Sequence, residues 1–256
     1  MGTMRWLYLG IGTAAGFFGG LVGLGGGIVM VPLLTGAAGF SQRRAHGTSL
    51  AALVFTGIAG AAAYALSGTV DLLASGALAS TAVLSAGAGA RNAHHLPADR
   101  LKRYFGIFQL GVALLLFVKP WLVHGNIPGI WMRVFLLMAA GGATGYLSGM
   151  MGVGGGSIMV PAMVLLAGMG QHVAQGSALL AMVPAGIAGG TAHYRLGNVA
   201  RDALWWLLPG IIVGTFTGGR AAAAIDGNWL RMLFACVLVY VGTRYAMTSA
   251  PSEKLA

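Results

Sequence analysis

Apolar residues in this chain gather into long blocks separated by short polar or glycine-rich punctuation. Eight blocks, near 6–22, 47–66, 72–90, 104–118, 134–151, 176–194, 203–219 and 230–247, approach or reach the length of a bilayer span. A helix needs about 20 apolar residues to cross, so each block predicts a transmembrane helix. Two shorter apolar runs, near 28–39 and 157–168, each follow a glycine cluster. They are too short to cross and predict half-helices or re-entrant arms.

The pattern occurs twice. Residues 16–32 read GFFGGLVGLGGGIVMVP and residues 145–161 read GYLSGMMGVGGGSIMVP, an offset of 129. The same offset pairs Gln42 with Gln171, Gly47 with Gly176, Thr48 with Ser177, Gly68 with Gly197, Gly89 with Gly218, Arg91 with Arg220 and Phe105 with Phe234, with no gap. Internal self-similarity at a fixed period marks a duplicated structural unit. The chain therefore divides into a first transmembrane repeat, residues 1–125, and a second, residues 126–256.

Composition narrows the class. Hydrophobic residues make up 57% of the chain, charged residues 8%, and the mean hydropathy is +0.80. Soluble domains carry roughly 25% charged residues, so this surface must face lipid. The 44 glycines are scattered through apolar runs, as suits closely packed transmembrane helices. Fifteen Lys and Arg stand against five acids, for a net charge of +10. The basic residues sit at the ends of apolar blocks, which argues for the positive-inside rule and against a nucleic-acid footprint.

Charge also bears on topology. If each glycine-broken pair returns to its starting side, eleven Lys and Arg share one side and only Lys119, Arg133, Arg220 and Arg231 lie opposite. A single crossing per pair would split them seven to eight, with no bias. The first arrangement follows the rule. It predicts an all-α polytopic membrane protein of two inverted-topology repeats, each a glycine-broken, re-entrant-like helix pair followed by three transmembrane helices. Both termini would then be cytoplasmic. Arg5 and the apolar run after it resemble a signal peptide, but the same pattern recurs in mid-chain and reads as a retained first helix. Cys236, the sole cysteine, excludes a disulfide or a thiol-ligated metal site within one chain.

Three adjacent glycines inside a span weaken a helix by roughly 1 kcal/mol each. Irregular backbone at membrane depth is tolerated only inside protein or beside a wet cavity. Gly25, Gly26 and Gly27, with Gly154, Gly155 and Gly156, are therefore candidate helix breaks whose freed N–H groups suit an anion; the alternative is close helix crossing alone. Pro32 and Pro161 are placed in the first turns of the short helices, where a missing N–H does little harm. Ser157 follows the second break. Thr48, Ser49 and Ser177 either cap the helices they open or point donors at an anion. His46 and Gln175 occupy equivalent positions and are candidates for the pathway or its gating.

No carboxylate falls at the predicted midplane: Asp71, Asp99, Asp202, Asp226 and Glu253 lie at segment ends or in loops. Cation carriers and proton relays usually need one there. Arg91 and Arg220, at helix ends on opposite sides, either draw anions to both mouths or snorkel to headgroups. His94 and His95 lie in a basic loop and His193 and Tyr194 end a helix; without acidic or thiol partners they make no metal site, and no cofactor is expected. Trp6, Trp121, Trp131, Trp205, Trp206 and Trp229 sit near segment ends, as an interfacial belt would. No nucleophilic triad, Walker motif or dinucleotide fingerprint occurs in a credible context, so no enzymatic activity is expected.

The paired G-x-x-G-x-G-G-G-x-x-x-V-P pattern, Gly20 to Pro32 and Gly149 to Pro161, resembles the TauE/SafE family of membrane permeases, also called the toluene-sulfonate uptake permeases. The A-x-G-T-S stretch from Ala45 to Ser49 fits as well, although Ala178 replaces the serine in the second copy. The resemblance implies a carrier of sulfite, organosulfonates or related sulfur oxyanions in the bacterial inner membrane. A small anion would sit between the two glycine breaks while the halves rock to expose it alternately. His46 or His193 could carry a coupled proton; a uniporter needs neither. An anion channel, a permease for another small anion, a membrane enzyme using Cys236 and a structural membrane partner are the other readings. The expected partners are the anion and the bilayer, with no nucleic acid and with room for a homo-oligomer.

Overall fold

A computed structural model describes residues 2–92, 98–119, 129–151 and 154–247; His94, His95, Trp121 and Glu253 lie outside these residues. Ten helices follow one another: α1 (Gly2–Val22), α2 (Gly27–Gly36), α3 (Gln42–Ala65), α4 (Leu72–Asn92), α5 (Ala98–Val118), α6 (Ile130–Met151), α7 (Gly156–Pro161), α8 (Gln171–Arg195), α9 (Arg201–Ala223) and α10 (Gly227–Ala246). No strand occurs among the described residues. Four helices, α3, α4, α6 and α8, are long and apolar enough to cross a membrane by length and composition. The chain is a multi-pass membrane protein, and its large apolar side chains on the outside, such as Leu84 and Trp131, suit lipid contact.

The elements α1–α5 recur as α6–α10 at the offset seen in the sequence, but the two copies are interleaved. The first helix of each packs against the fourth helix of the other, α1 on α9 and α6 on α4. Glycines make this contact close. A Cβ added at Gly16 would stand 2.6 Å from Ile211 O, and one at Gly210 would touch Leu9 O. Gly12, Gly16 and Gly20 meet Leu207, Ile211 and Thr215 in rising order, so α1 and α9 run parallel. Gly141, Gly145 and Gly149 meet Leu78, Ala82 and Ala86 the same way, which makes α4 and α6 parallel too. Small residues four apart let helix backbones approach where no hydrophobic effect separates protein from lipid.

At the centre lie α3 and its counterpart α8, the two most buried of the four long apolar helices. Here the order reverses: Gly57 faces Val183, Gly186 faces Val54 and Gly189 faces Leu50. Equivalent helices of the two copies thus run antiparallel. Gly47 against Asn198 and Gly60 against Thr215 set α3 parallel to α9, hence to α1. The segment between α1 and α3 therefore carries the chain back toward the level at which α1 began.

Two expectations need correction. Pro32 and Pro161 do not lie in the first turns; each is the sixth residue of its short helix. A proline there cannot donate to the carbonyl one turn back, and after Pro161 the chain widens into a π-helical turn over Ala162–Leu166. Nor do Thr48, Ser49 and Ser177 cap their own helices, which begin earlier, at Gln42 and Gln171. Thr48 Oγ1 donates to Arg44 O at 2.7 Å and accepts from Ala200 N at 3.0 Å, just ahead of α9. Its repeat twin, Ser177 Oγ, accepts from Asp71 N at 2.8 Å, just ahead of α4. Each hydroxyl holds the loop of the other copy in place.

Candidate functional site

Helix α1 ends because Gly23, Gly25 and Gly26 take φ of +72°, +81° and +75°, a region that side chains other than glycine's rarely adopt. Gly26 O then accepts from Val29 N and Met30 N to start α2. In the second copy Gly154 has φ +88° while Gly155 returns to −86°, so the twins Gly25 and Gly154 are both left-handed and the next residues, Gly26 and Gly155, diverge. Gly155 O accepts from Ile158 N and Met159 N.

The two breaks meet. A Cβ at Gly154 would stand 2.6 Å from Leu24 O, and Gly156 packs directly on Gly23 O and Leu24. Gly23 also lies against the side chain of Gln175, whose Cγ would be 2.7 Å from an added Cβ. Around this contact several buried polar atoms have no hydrogen-bond partner: Ser157 Oγ, Gln175 Nε2, Thr215 Oγ1 and the side-chain amide of Gln171. Orphaned polar atoms are rare in a protein interior and mark places where water or a ligand belongs. The enclosed space beside Gly155, lined by Leu53, Thr144, Ser148 and Met182, measures about 10 Å³, room for one water at most. The centre is closed in this conformation.

Access differs at the two ends. A cleft of about 950 Å³ runs between α2, the start of α3 and α10, and its lining includes Thr35, Gln42, His46, Tyr240, Thr243, Arg244 and Tyr245. No Asp or Glu lines it. Of the predicted residues, His46 alone reaches this cleft. At the other end α5 packs against α7, with Val112, Leu116, Val160 and Val164 in one buried cluster. There Lys119 Nζ donates to Val164 O at 2.9 Å, bracing the π-helical turn. Partial burial, and after it the charge of Arg231, lower the proton affinity of Lys119.

Gln175 is buried and takes part in a bond that sequence reasoning missed. The Tyr64 hydroxyl lies 2.6 Å from Gln175 Oε1 and 3.1 Å from Gly20 O, joining α3, α8 and α1. A polar residue facing the same level of α3 and α8 was the available signal. Ser49 is buried in α3, away from bulk solvent. Arg91 and Arg220 are exposed at the ends of α4 and α9, and neither lines the cleft; Arg220 donates to Ser67 Oγ at 3.2 Å. Asp71 pairs with Arg133 at 3.3 Å and accepts from Ala74 N, and Asp226 caps α10. The described carboxylates thus stay at helix starts. No cluster able to hold a metal occurs among the described residues. A second groove of about 610 Å³, beside Phe55, Ile187 and Trp205, is nearly all apolar and lies apart from the breaks.

Comparison with known proteins agrees with this architecture. The family model described as "Sulfite exporter TauE/SafE" matches residues 8–245. The chain belongs to the TauE/SafE family. A relative named "Probable membrane transporter protein YunE", from Bacillus subtilis, is 29% identical over 260 residues, covering 91% of this chain and 93% of its own length. A "Probable membrane transporter protein" from Xylella fastidiosa is 32% identical over 214 residues, covering 82% and 80%. No solved structure matches the chain. The family hit and these names make the protein a membrane transporter.

Proposed function

We propose that this transporter is a secondary carrier of small sulfur-containing anions, sulfite, organosulfonates or related oxyanions, in the bacterial inner membrane. The carrying observation is the meeting of two glycine-broken arms, one from each copy, beside a cleft along α2 that is lined by His46 and Arg244 and by no carboxylate. Broken helices at a repeat interface are a recurrent build for secondary-transporter sites, with backbone N–H groups aimed at an anion. The antiparallel crossing of α3 on α8 supports two repeats, residues 1–125 and 126–256, inserted in opposite senses. The chain ends and the cleft then share the arginine-rich cytoplasmic side.

In this reading the anion is held by the backbone of Gly25–Gly27 and Gly154–Gly156 and by the Ser157 hydroxyl. Thr48, Ser49 and Ser177 set the surrounding loops and helices, and His46 and Gln175 stand at the two gates. Arg91 and Arg220 contribute to the potential at the surfaces. Because one end is open while the other is packed shut, rocking of the halves rather than a continuous pore moves the substrate.

The test is flux of radiolabelled sulfite, sulfate, thiosulfate and methanesulfonate in proteoliposomes, with and without a pH gradient. The expected result is saturable flux of at least one of them, abolished in Gly26→Val and Gly155→Leu. Folded protein that moves none of the four would end the sulfur-anion reading.

A further inference from the structure

The repeat can be followed atom by atom into the α3–α8 contact, where its two copies differ in chemistry. Tyr64 OH is 3.1 Å from Gly20 O; 129 residues later, His193 Nε2 is 3.1 Å from Gly149 O. These are the same bond made by twin residues. Tyr64 also bonds Gln175, and the twin of Gln175 is His46. The antiparallel register that sets Gly189 against Leu50 brings positions 46 and 193 to one level, as it does 64 and 175. So the far end carries a Tyr–Gln pair that does not titrate near neutral pH, and the end with the open cleft carries a His–His pair.

From this juxtaposition we infer that His46 and His193 form the proton-binding site of the carrier, taking up one proton together with the anion at the open end. The inference rests on the carrier reading above. Geometry favours an exchangeable proton. A carbonyl only accepts, so His193 Nε2 holds a hydrogen toward Gly149 O, and Nδ1 faces the Asn198 amide nitrogen at 3.4 Å. Protonation at Nδ1 needs only that the Asn198 amide turn to present its oxygen, since both its groups can hydrogen-bond. His46 lines the 950 Å³ cleft, which supplies a path for the proton from water.

The charged and titratable neighbours set the sign of coupling. Arg43 and Arg44 flank His46 on α3, Arg244, Tyr240 and Tyr245 face the cleft from α10, and Arg195 follows His193 on α8. On α9, Arg201 stacks on Tyr194. From α6 the uncharged Gly149 O meets the ring, with Tyr146 three residues before it, and on α4, which packs against α8, Arg91 follows the Ala90 that lies beside Gly149. These cations oppose a second positive charge until an anion occupies the cleft. Anion and proton thereby favour each other's binding, and the coupling is reciprocal. The product is proton–anion symport, with the far-end Tyr–Gln pair as a seal that takes no proton.

The experiment transplants the twin pair: His46→Gln with His193→Tyr, beside wild type and the single variant His193→Gln, which keeps a donor for Gly149 O. Reconstituted protein is given an inward gradient of sulfate, thiosulfate or methanesulfonate, none of which titrates near neutral pH, with a pH-sensitive dye inside the vesicles. Wild type is expected to acidify the lumen in step with anion uptake. Its apparent affinity for the anion should tighten about tenfold as outside pH falls through the histidine range. Whatever anion the double variant moves is expected to enter without proton movement and with a flat pH profile. Anion uptake by wild type without protons, or proton movement that survives in the double variant, would overturn the proton site and leave the carrier standing. Folded wild type that moves none of the anions would remove the carrier reading and the proton site with it. A double variant that does not fold shifts the decision to His193→Gln, for which an unchanged proton-to-anion ratio overturns the assignment.

Discussion

The open and the closed end of this molecule are built from the same sequence unit. At the open end Gln42 and Thr35 line the cleft, while at the closed end their twins Gln171 and Val164 are buried. The amide of Gln171 is left without a partner, and Val164 O is taken by Lys119. Helix α5 fills against α7 the groove that α10 leaves open beside α2. One sequence unit thus packs in two ways at the two ends. The Gln171 amide and Gln175 Nε2 are buried without a partner, and an unsatisfied buried polar group of this kind costs about 1–3 kcal/mol. The closed end is therefore packed against a standing penalty.

The comparison can be broken in several ways. The largest effect is expected at the helix crossings common to both ends. Gly16→Leu drives a side chain into Ile211 O and Thr215 Oγ1, 2.6 and 3.0 Å from an added Cβ. Overpacking of this kind costs about 3 kcal/mol, and the yield of monodisperse protein in detergent should collapse. Next comes plugging: Thr35→Trp, in the cleft alone, should leave the melting temperature near wild type and reduce anion flux by about tenfold or more, roughly the 1.4 kcal/mol that a blocked path adds. A variant with full flux would show that the cleft is not the route.

Accessibility sharpens the difference between the ends. In a Cys236→Ala background, which is itself expected to be silent because Cys236 is exposed on α10 and shares no polar site, cysteines are placed at the twin positions Gln42 and Gln171. A membrane-impermeant maleimide applied to open membranes should modify position 42 far faster. Equal rates would erase the asymmetry. The smallest effect is expected from Lys119→Met, which removes one hydrogen bond worth about 1 kcal/mol. Labelling at position 171 should rise severalfold, while overall stability changes little.

Much of this was legible in the chain. The helix break at Gly25 follows from three glycines in an apolar run. Thr48 and Ser177 were visible as candidates but misplaced, because a hydroxyl two turns into a helix can serve a distant loop that no local pattern announces. The Tyr64–Gln175 bond, 111 positions apart, depends on which faces of α3 and α8 cross. A tyrosine near the end of a span ordinarily belongs to the interface, so the residue type of Tyr64 does not announce this bond.

Sequence by itself determined the membrane class, the duplication and the positions of the breaks. Each of these is a property of residue type and spacing along one chain, where hydropathy and backbone freedom act locally. Tertiary structure decided the rest: that the copies interleave through α1–α9 and α4–α6, that the breaks touch, and that one end stands open while its twin is shut. Those outcomes depend on packing between segments far apart in sequence. The two copies of one unit differ at their ends, where Thr35 lines a cleft and its twin Val164 is buried, because a different helix packs beside each arm: α5 fills against α7 the place that α10 leaves open beside α2.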